Sequence, residues 1–119
     1  MSHHTIRENV IQDILLWIDM NVDKPLQIEE ISNRAGYSKW YFQRVFKNTV
    51  GVSLGQYLLI RRLLRVSTDL KETNDKIIDI AFRYGFDGQQ GLTRAFKRKL
   101  KVTPGKYRKE TMLRYHTSY

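Results

Sequence analysis

The chain has 119 residues, 41% of them hydrophobic, with a formal net charge of +9 and no cysteine. That length suits one compact domain, or two small ones sharing an element. Disulfides, thiolate metal sites and cysteine nucleophiles are excluded, and no apolar run approaches the roughly 20 residues a membrane span requires.

Strand signals are nearly absent and helical periodicity runs almost throughout, so an all-α fold of about seven helices is expected. The first helix covers 8–22, with Ile11, Ile14, Leu15 and Ile18 on one stripe; it breaks before Pro25, which disfavours a helical residue in front of it. A short helix over 28–35 stops at Gly36, the favoured residue just past a helix end. Ser38 caps a third helix that runs to Gly51. Its two faces differ. Phe42, Val45, Phe46 and Thr49 form an inward stripe, while Trp40, Gln43, Arg44 and Lys47 line up outward.

Ser53 caps the longest helix, from Leu54 to about Lys71, whose apolar positions include Tyr57, Leu58, Leu64 and Leu70. Asn74 or Asp75 is expected to cap a helix over 77–84 that ends at Gly85. Asp87 is expected to cap the next, reaching Leu100, with Leu92, Phe96 and Leu100 inward and Gln89, Gln90, Thr93 and Arg94 outward. Thr103 followed by Pro104 opens a last short helix through Tyr107. Residues 111–119 read as an unstructured tail. The expected organisation is a first subdomain over 8–53, a linking helix over 54–72 and a second subdomain over 73–110.

Charge is unevenly spread along this order. Residues 1–37 hold three cations against six acids, a net −3, and the remainder holds 18 against six, a net +12. A basic body behind an acidic first helix points to a polyanionic partner, with simple solubility as the plain alternative. An anionic membrane surface fits less well, because no helix pairs a cationic face with an exposed apolar one. The N-terminal MSHHTIRENV lacks a secretory apolar region, so a cytoplasmic protein is expected.

An internal repeat organises the chain. Ile31, Gly36 and Tyr37 match Ile80, Gly85 and Phe86 at an offset of 49. One inserted residue makes the offset 50, at which Phe42, Arg44, Phe46 and Lys47 meet Leu92, Arg94, Phe96 and Lys97. Val52, Ser53 and Tyr57 then meet Val102, Thr103 and Tyr107. Each copy is a short helix, a glycine turn and a second helix with polar residues outward, which is a helix-turn-helix arrangement.

In that arrangement the second helix enters the major groove of DNA. Arg forks onto guanine O6 and N7, and Gln pairs with adenine N6 and N7. Trp40, Gln43 and Arg44 on one copy, and Gln89, Gln90, Thr93 and Arg94 on the other, are therefore the candidate base contacts. Ser38, Lys39, Lys47, Lys97, Arg98 and Lys99 are candidate backbone contacts, since phosphates take most of the remaining polar groups. The run Lys97, Arg98, Lys99 also has a plainer reading as a solvated face. A linking helix of roughly 27 Å, from about 1.5 Å per residue, plus flanking helix widths, suits two recognition helices about 34 Å apart. A monomer on an asymmetric site is expected, because the two copies differ in sequence.

The segments GYSKWYFQRVFK, GVSLGQY, RYGF and LTRAFKRKLKVTPGKYR resemble the DNA-binding domain of the AraC/XylS family of bacterial transcription regulators. The likeness covers about residues 10–110 and is greatest to the short, single-domain MarA, SoxS, Rob and RamA group. It implies a monomeric activator of stress and multidrug-resistance promoters that works with RNA polymerase. It implies the base contacts named above, with Arg34 and Arg61 at backbone-contacting positions. It implies no inducer-binding domain and no cofactor. Gly88 and Gly91 stand where small polar residues are usual, and Lys101 where the family commonly has glycine. Gly91 inside a helix costs about 1 kcal/mol relative to Ala, which loosens the second recognition helix.

Leu16 and Trp17 lie off the main stripe of the first helix. They read as packing against the flank or, alternatively, as a contact patch for RNA polymerase. His3, His4 and His116 lack the ligand count of a metal site. No Ser-His-Asp set, paired inward carboxylates or phosphate-cradling loop is present, so an enzyme is not expected. The rival function is a non-specific basic nucleic-acid binder without base readout.

Overall fold

Three hydroxyl caps expected from the sequence start three of the helices. The computed structural model describes residues 6–117, with side chains through Met112, and over them the chain is all-α with seven helices. These are α1 (Ile6–Met20), α2 (Ile28–Ala35), α3 (Lys39–Val50), α4 (Leu54–Glu72), α5 (Ile77–Arg83), α6 (Gln89–Leu100) and α7 (Pro104–Thr117). Ser38 Oγ accepts from Tyr41 N at 3.3 Å, Ser53 Oγ from Gln56 N at 3.2 Å and Thr103 Oγ1 from Lys106 N at 3.3 Å. Each hydroxyl satisfies an amide that the helix itself leaves unpaired.

The chain forms two compact units, Met1–Arg61 and Arg62–Tyr119, and the division falls inside α4. In the first, Ile11, Ile14 and Ile18 of α1 pack with Ile31 of α2 and Phe42, Val45 and Phe46 of α3. In the second, Leu63, Val66 and Leu70 of α4 are buried at the same i, i+3, i+7 spacing, with Ile80, Leu92 and Phe96. Fully burying each such side chain contributes about 1.5–3 kcal/mol. The repeat extends to ring geometry. Phe46 meets Tyr57 edge-on at 5.7 Å and 68°, and Phe96 meets Tyr107 at 5.4 Å and 69°.

The turns repeat as well. Gly36 and Gly85 adopt φ of 80° and 82°, and the following residue's N–H in each case returns to a carbonyl of the preceding helix. Gly51 closes α3 at φ 95°, and the matching position after α6 is Lys101, at φ 63°. Both amides donate to the carbonyl four residues back at 2.9 Å. A side chain in the left-handed region costs about 1–2 kcal/mol, partly offset by the looser unfolded chain that glycine brings. Lys101→Gly should therefore raise stability by about 0.5–1 kcal/mol, read as a higher urea midpoint at unchanged slope.

Several expectations are corrected. Neither Asn74 nor Asp75 caps α5, and Asp87 does not cap α6; Lys76 and Gly88 hold those positions without a side-chain hydrogen bond. The amide of Asp75 donates to Thr73 Oγ1 instead, and its carboxylate pairs with Arg83. The stripe of α4 runs through Leu63 rather than Leu64, which is exposed. Thr49 and Leu100, each within two residues of a helix end, lie past the edge of the core and are exposed. The last helix does not stop at Tyr107 but continues to Thr117, through residues that contain no Gly or Pro to break it. Residues 118 and 119 lie outside the described residues, as do His3 and His4.

Each unit is tied by a carboxylate. Asp19 of α1 accepts from the Tyr57 hydroxyl at 3.3 Å and pairs with Arg61 Nε at 2.9 Å. Asp69 of α4 accepts from Arg83 Nη1 at 2.7 Å and from the Tyr84 hydroxyl at 2.8 Å. Arg108 of α7 donates to the carbonyls of Leu70 and Thr73, at and just past the end of α4, which favours the cation by the helix dipole. Burial, then the bond to Asp69, pushes the Tyr84 hydroxyl from its ordinary value of 10.0 up to about 12. A raised folded-state value means that the stabilisation is complete below the unfolded value and is lost as pH rises through the folded one. Tyr84→Phe should cost about 0.5–1.5 kcal/mol at neutral pH. That deficit should shrink between pH 10 and about 12 in urea melts.

Candidate nucleic-acid interface

The outward face of α3 follows from its inward one. Phe42, Val45 and Phe46 turn to the core, which leaves Trp40, Gln43, Arg44 and Lys47 on the opposite side. The four residues line an open hollow of about 460 Å³, together with Asn48 of the same helix and Ser53, Leu54 and Gly55 at the start of α4. Trp40 is 68% exposed, an unusual place for so large an apolar ring. Its face is covered by the Arg44 guanidinium, whose Cζ stands 4.1 Å from the ring centroid. Such a stack contributes about 0.5–1 kcal/mol at an exposed site.

In α6, Leu92 and Phe96 are buried, and Gln89, Gln90, Thr93 and Arg94 line a second open hollow of about 570 Å³. Each unit thus brings its expected base-contacting residues into one concavity. The helix starts differ, however. α3 begins on the Ser38 cap, whereas α6 begins on Gly88 in extended backbone with no side-chain cap. A Cβ added at Gly91 would meet nothing within 4 Å, so packing does not require glycine there.

The expected backbone contacts sit in varied surroundings. Ser38 uses its oxygen as the helix cap, and Lys39 lies 3.7 Å from Glu29, an exposed pair of small energetic weight. Lys47, Lys97, Arg98 and Lys99 are exposed. The last three crowd the final turn of α6, where cations also favour the helix dipole. Arg61 is held by Asp19, which leaves its other two guanidinium nitrogens outside that contact. Arg34 stacks on Trp17, its Cζ 4.6 Å from the ring. At the repeat offset of 49, Arg34 corresponds to Arg83, whose charge faces Asp69 and Asp75. The same guanidinium position therefore rests on a ring in one unit and between two carboxylates in the other.

Leu16 is exposed and Trp17 half-buried beneath Arg34. Asn48, Ser53, Leu54 and Gly55 join the first hollow with no sign in the sequence beyond their proximity across the α3–α4 turn. The i, i+4 spacing of Trp40 and Arg44 was legible as a possible contact, but not which partner each side chain would choose.

A helix-turn-helix domain family matches residues 31–110. The transposon Tn10 TetD protein of Escherichia coli is 48% identical over 103 residues, which is 87% of this chain and 75% of that protein. The multiple antibiotic resistance protein MarA of Escherichia coli K12 is 46% identical over 112 residues, 94% of this chain and 88% of that protein. Among solved structures, the DNA-binding domain of AdpA, a global transcriptional factor in complex with a target DNA, aligns with a TM-score of 0.84. It covers 91% of this chain and 97% of that one at 24% identity, and so speaks for the fold.

Proposed function

The chain belongs to the AraC/XylS family of helix-turn-helix transcription regulators, and from that membership we propose that it is a sequence-specific activator binding an asymmetric promoter site as a monomer. That it is a DNA-binding regulator and not an enzyme follows from the family itself. The finer reading gives each recognition helix, α3 and α6, one of two successive major-groove segments. Trp40, Gln43 and Arg44 contact bases in one, and Gln89, Gln90, Thr93 and Arg94 in the other. Arg34, Ser38, Lys39, Lys47, Arg61, Lys97, Arg98 and Lys99 contact the backbone. Likeness to MarA favours genes of antibiotic resistance and stress as targets. The protein acts in the cytoplasm, at the nucleoid when bound. No described helix is long and apolar enough to cross a membrane.

The observation that carries this reading is that both outward sets lie outside the core and line a hollow within their own unit. Charge alone would also bind DNA, so the test separates the two. Affinity for a duplex selected by the protein is compared with that for its scrambled version as salt rises. Base readout leaves a ratio of at least about a thousandfold at physiological salt; affinities that fall together and stay equal mark a non-specific binder. The mass of the complex on one site tests the monomer, and dimer stoichiometry would overturn it.

RNA polymerase is the proposed protein partner, through Leu16 and Trp17 on α1. Leu16→Ala should cut transcription activation in a reconstituted assay while DNA affinity stays within about twofold, as expected for a residue off the reading helices; Trp17 carries the proposed backbone contact Arg34 on its ring, so Leu16 is the cleaner site. An equal loss of both would remove the assignment.

A further inference from the structure

The stack of Arg44 on Trp40 is found on α3 alone, because the position 50 residues on from Trp40 is Gln90, which offers no ring to Arg94. We infer that Trp40, besides the base contact proposed for it above, positions Arg44: its ring aims the Arg44 guanidinium, and that aim is what makes Arg44 discriminate between bases. The inference rests on α3 being the DNA-reading helix proposed above.

The geometry supplies the reason. All five N–H donors of a guanidinium lie in its plane. A ring pressed against its face therefore leaves the donor edge free, and that edge is what forks onto guanine O6 and N7. An arginine on an open surface samples many rotamers and must be ordered when DNA arrives; a stacked one has been ordered beforehand. Nothing in the core calls for Trp40, which leaves most of its surface in solvent beside Gln43 and Lys47 in the first hollow. Arg94 lacks such a guide and stands on a helix that starts at uncapped Gly88 and carries Gly91 in its first turn. It follows that the base read by Arg44 is strictly specified, and the base facing Arg94 loosely so.

Binding-site selection from a randomised duplex pool, followed by sequencing, tests this with the full chain. The wild type should show one guanine column preferred by tenfold or more, roughly the discrimination of a bidentate contact. Arg44→Ala should flatten that column. Trp40→Leu should flatten the same column while columns assigned to Gln43 persist, and Trp40→Phe, which restores a ring, should recover it. In the free protein, NMR should show ring-current shifts on the Arg44 side chain that vanish in Trp40→Leu. Circular dichroism verifies that the Leu variant folds, as expected for an exposed site. An intact guanine column in Trp40→Leu overturns the inference and leaves the reading of α3 standing. So does a double variant whose affinity loss is the product of the two single losses. An unchanged set of columns in Arg44→Ala removes both the reading of α3 and the inference.

Discussion

Arg44→Ala should weaken binding to a selected site by about 1–3 kcal/mol, roughly five- to 150-fold, and relax the preference at one base position. Arg44 is exposed, and its described contact is the Trp40 ring, so the fold loses at most the stack of about 0.5–1 kcal/mol. Equilibrium binding against the selected duplex and its single-base variants measures the effect. The salt dependence separates base from phosphate. A phosphate ligand would weaken every sequence alike and reduce the logarithmic salt slope by about one. A base contact leaves the slope near its original value and lowers the ratio between right and wrong sequence.

Phe96→Ala should destabilise the second unit by about 3–5 kcal/mol. Phe96 is fully buried, and its ring meets that of Tyr107 edge-on at 5.4 Å, so truncation leaves a void between α6 and α7. Against a typical total of about 5–15 kcal/mol, that is enough to lower the urea midpoint steeply. Hydrogen exchange should accelerate first in α5, α6 and α7. Phe46, with the same burial and the same edge-on partner in Tyr57, should give a loss of similar size centred on α2 and α3. A uniform rise in exchange along the chain would show that the units unfold as one.

Much of this architecture could be read from residues that act locally. Ser38, Ser53 and Thr103 satisfy amides three residues ahead, and Gly36 and Gly85 accept a backbone hand that others resist. The duplicated stripes of Phe42, Phe46, Leu92 and Phe96 follow from helical period alone. What escaped depends on partners chosen across elements. Asp75 has the chemistry of a cap, but Arg83 takes its carboxylate. Asp69 is one acid among twelve until Arg83 at the end of α5 and Tyr84 just past it arrive. In the candidate site, helical period alone sets the outward residues opposite the buried stripe of each helix. The pairing of Arg44 with Trp40, and of Arg34 with Trp17, was not legible, because a cation on a helix has several neighbours within reach and the fold decides among them.

Two tandem copies of a four-helix unit would make eight helices, yet among the described residues there are seven. The missing one is accounted for by α4, whose Leu54 and Leu58 belong to one core and whose Leu63, Val66 and Leu70 belong to the other. For anyone dissecting the molecule, the inviting cut in the loop between α4 and α5 is the wrong one. A fragment starting there would be born without Asp69 or the Leu70 carbonyl, one of the two that hold Arg108, and without three of its own core side chains. Chimeras between relatives inherit the same rule: the shared helix has to travel with both neighbours, so the halves cannot be exchanged as cassettes.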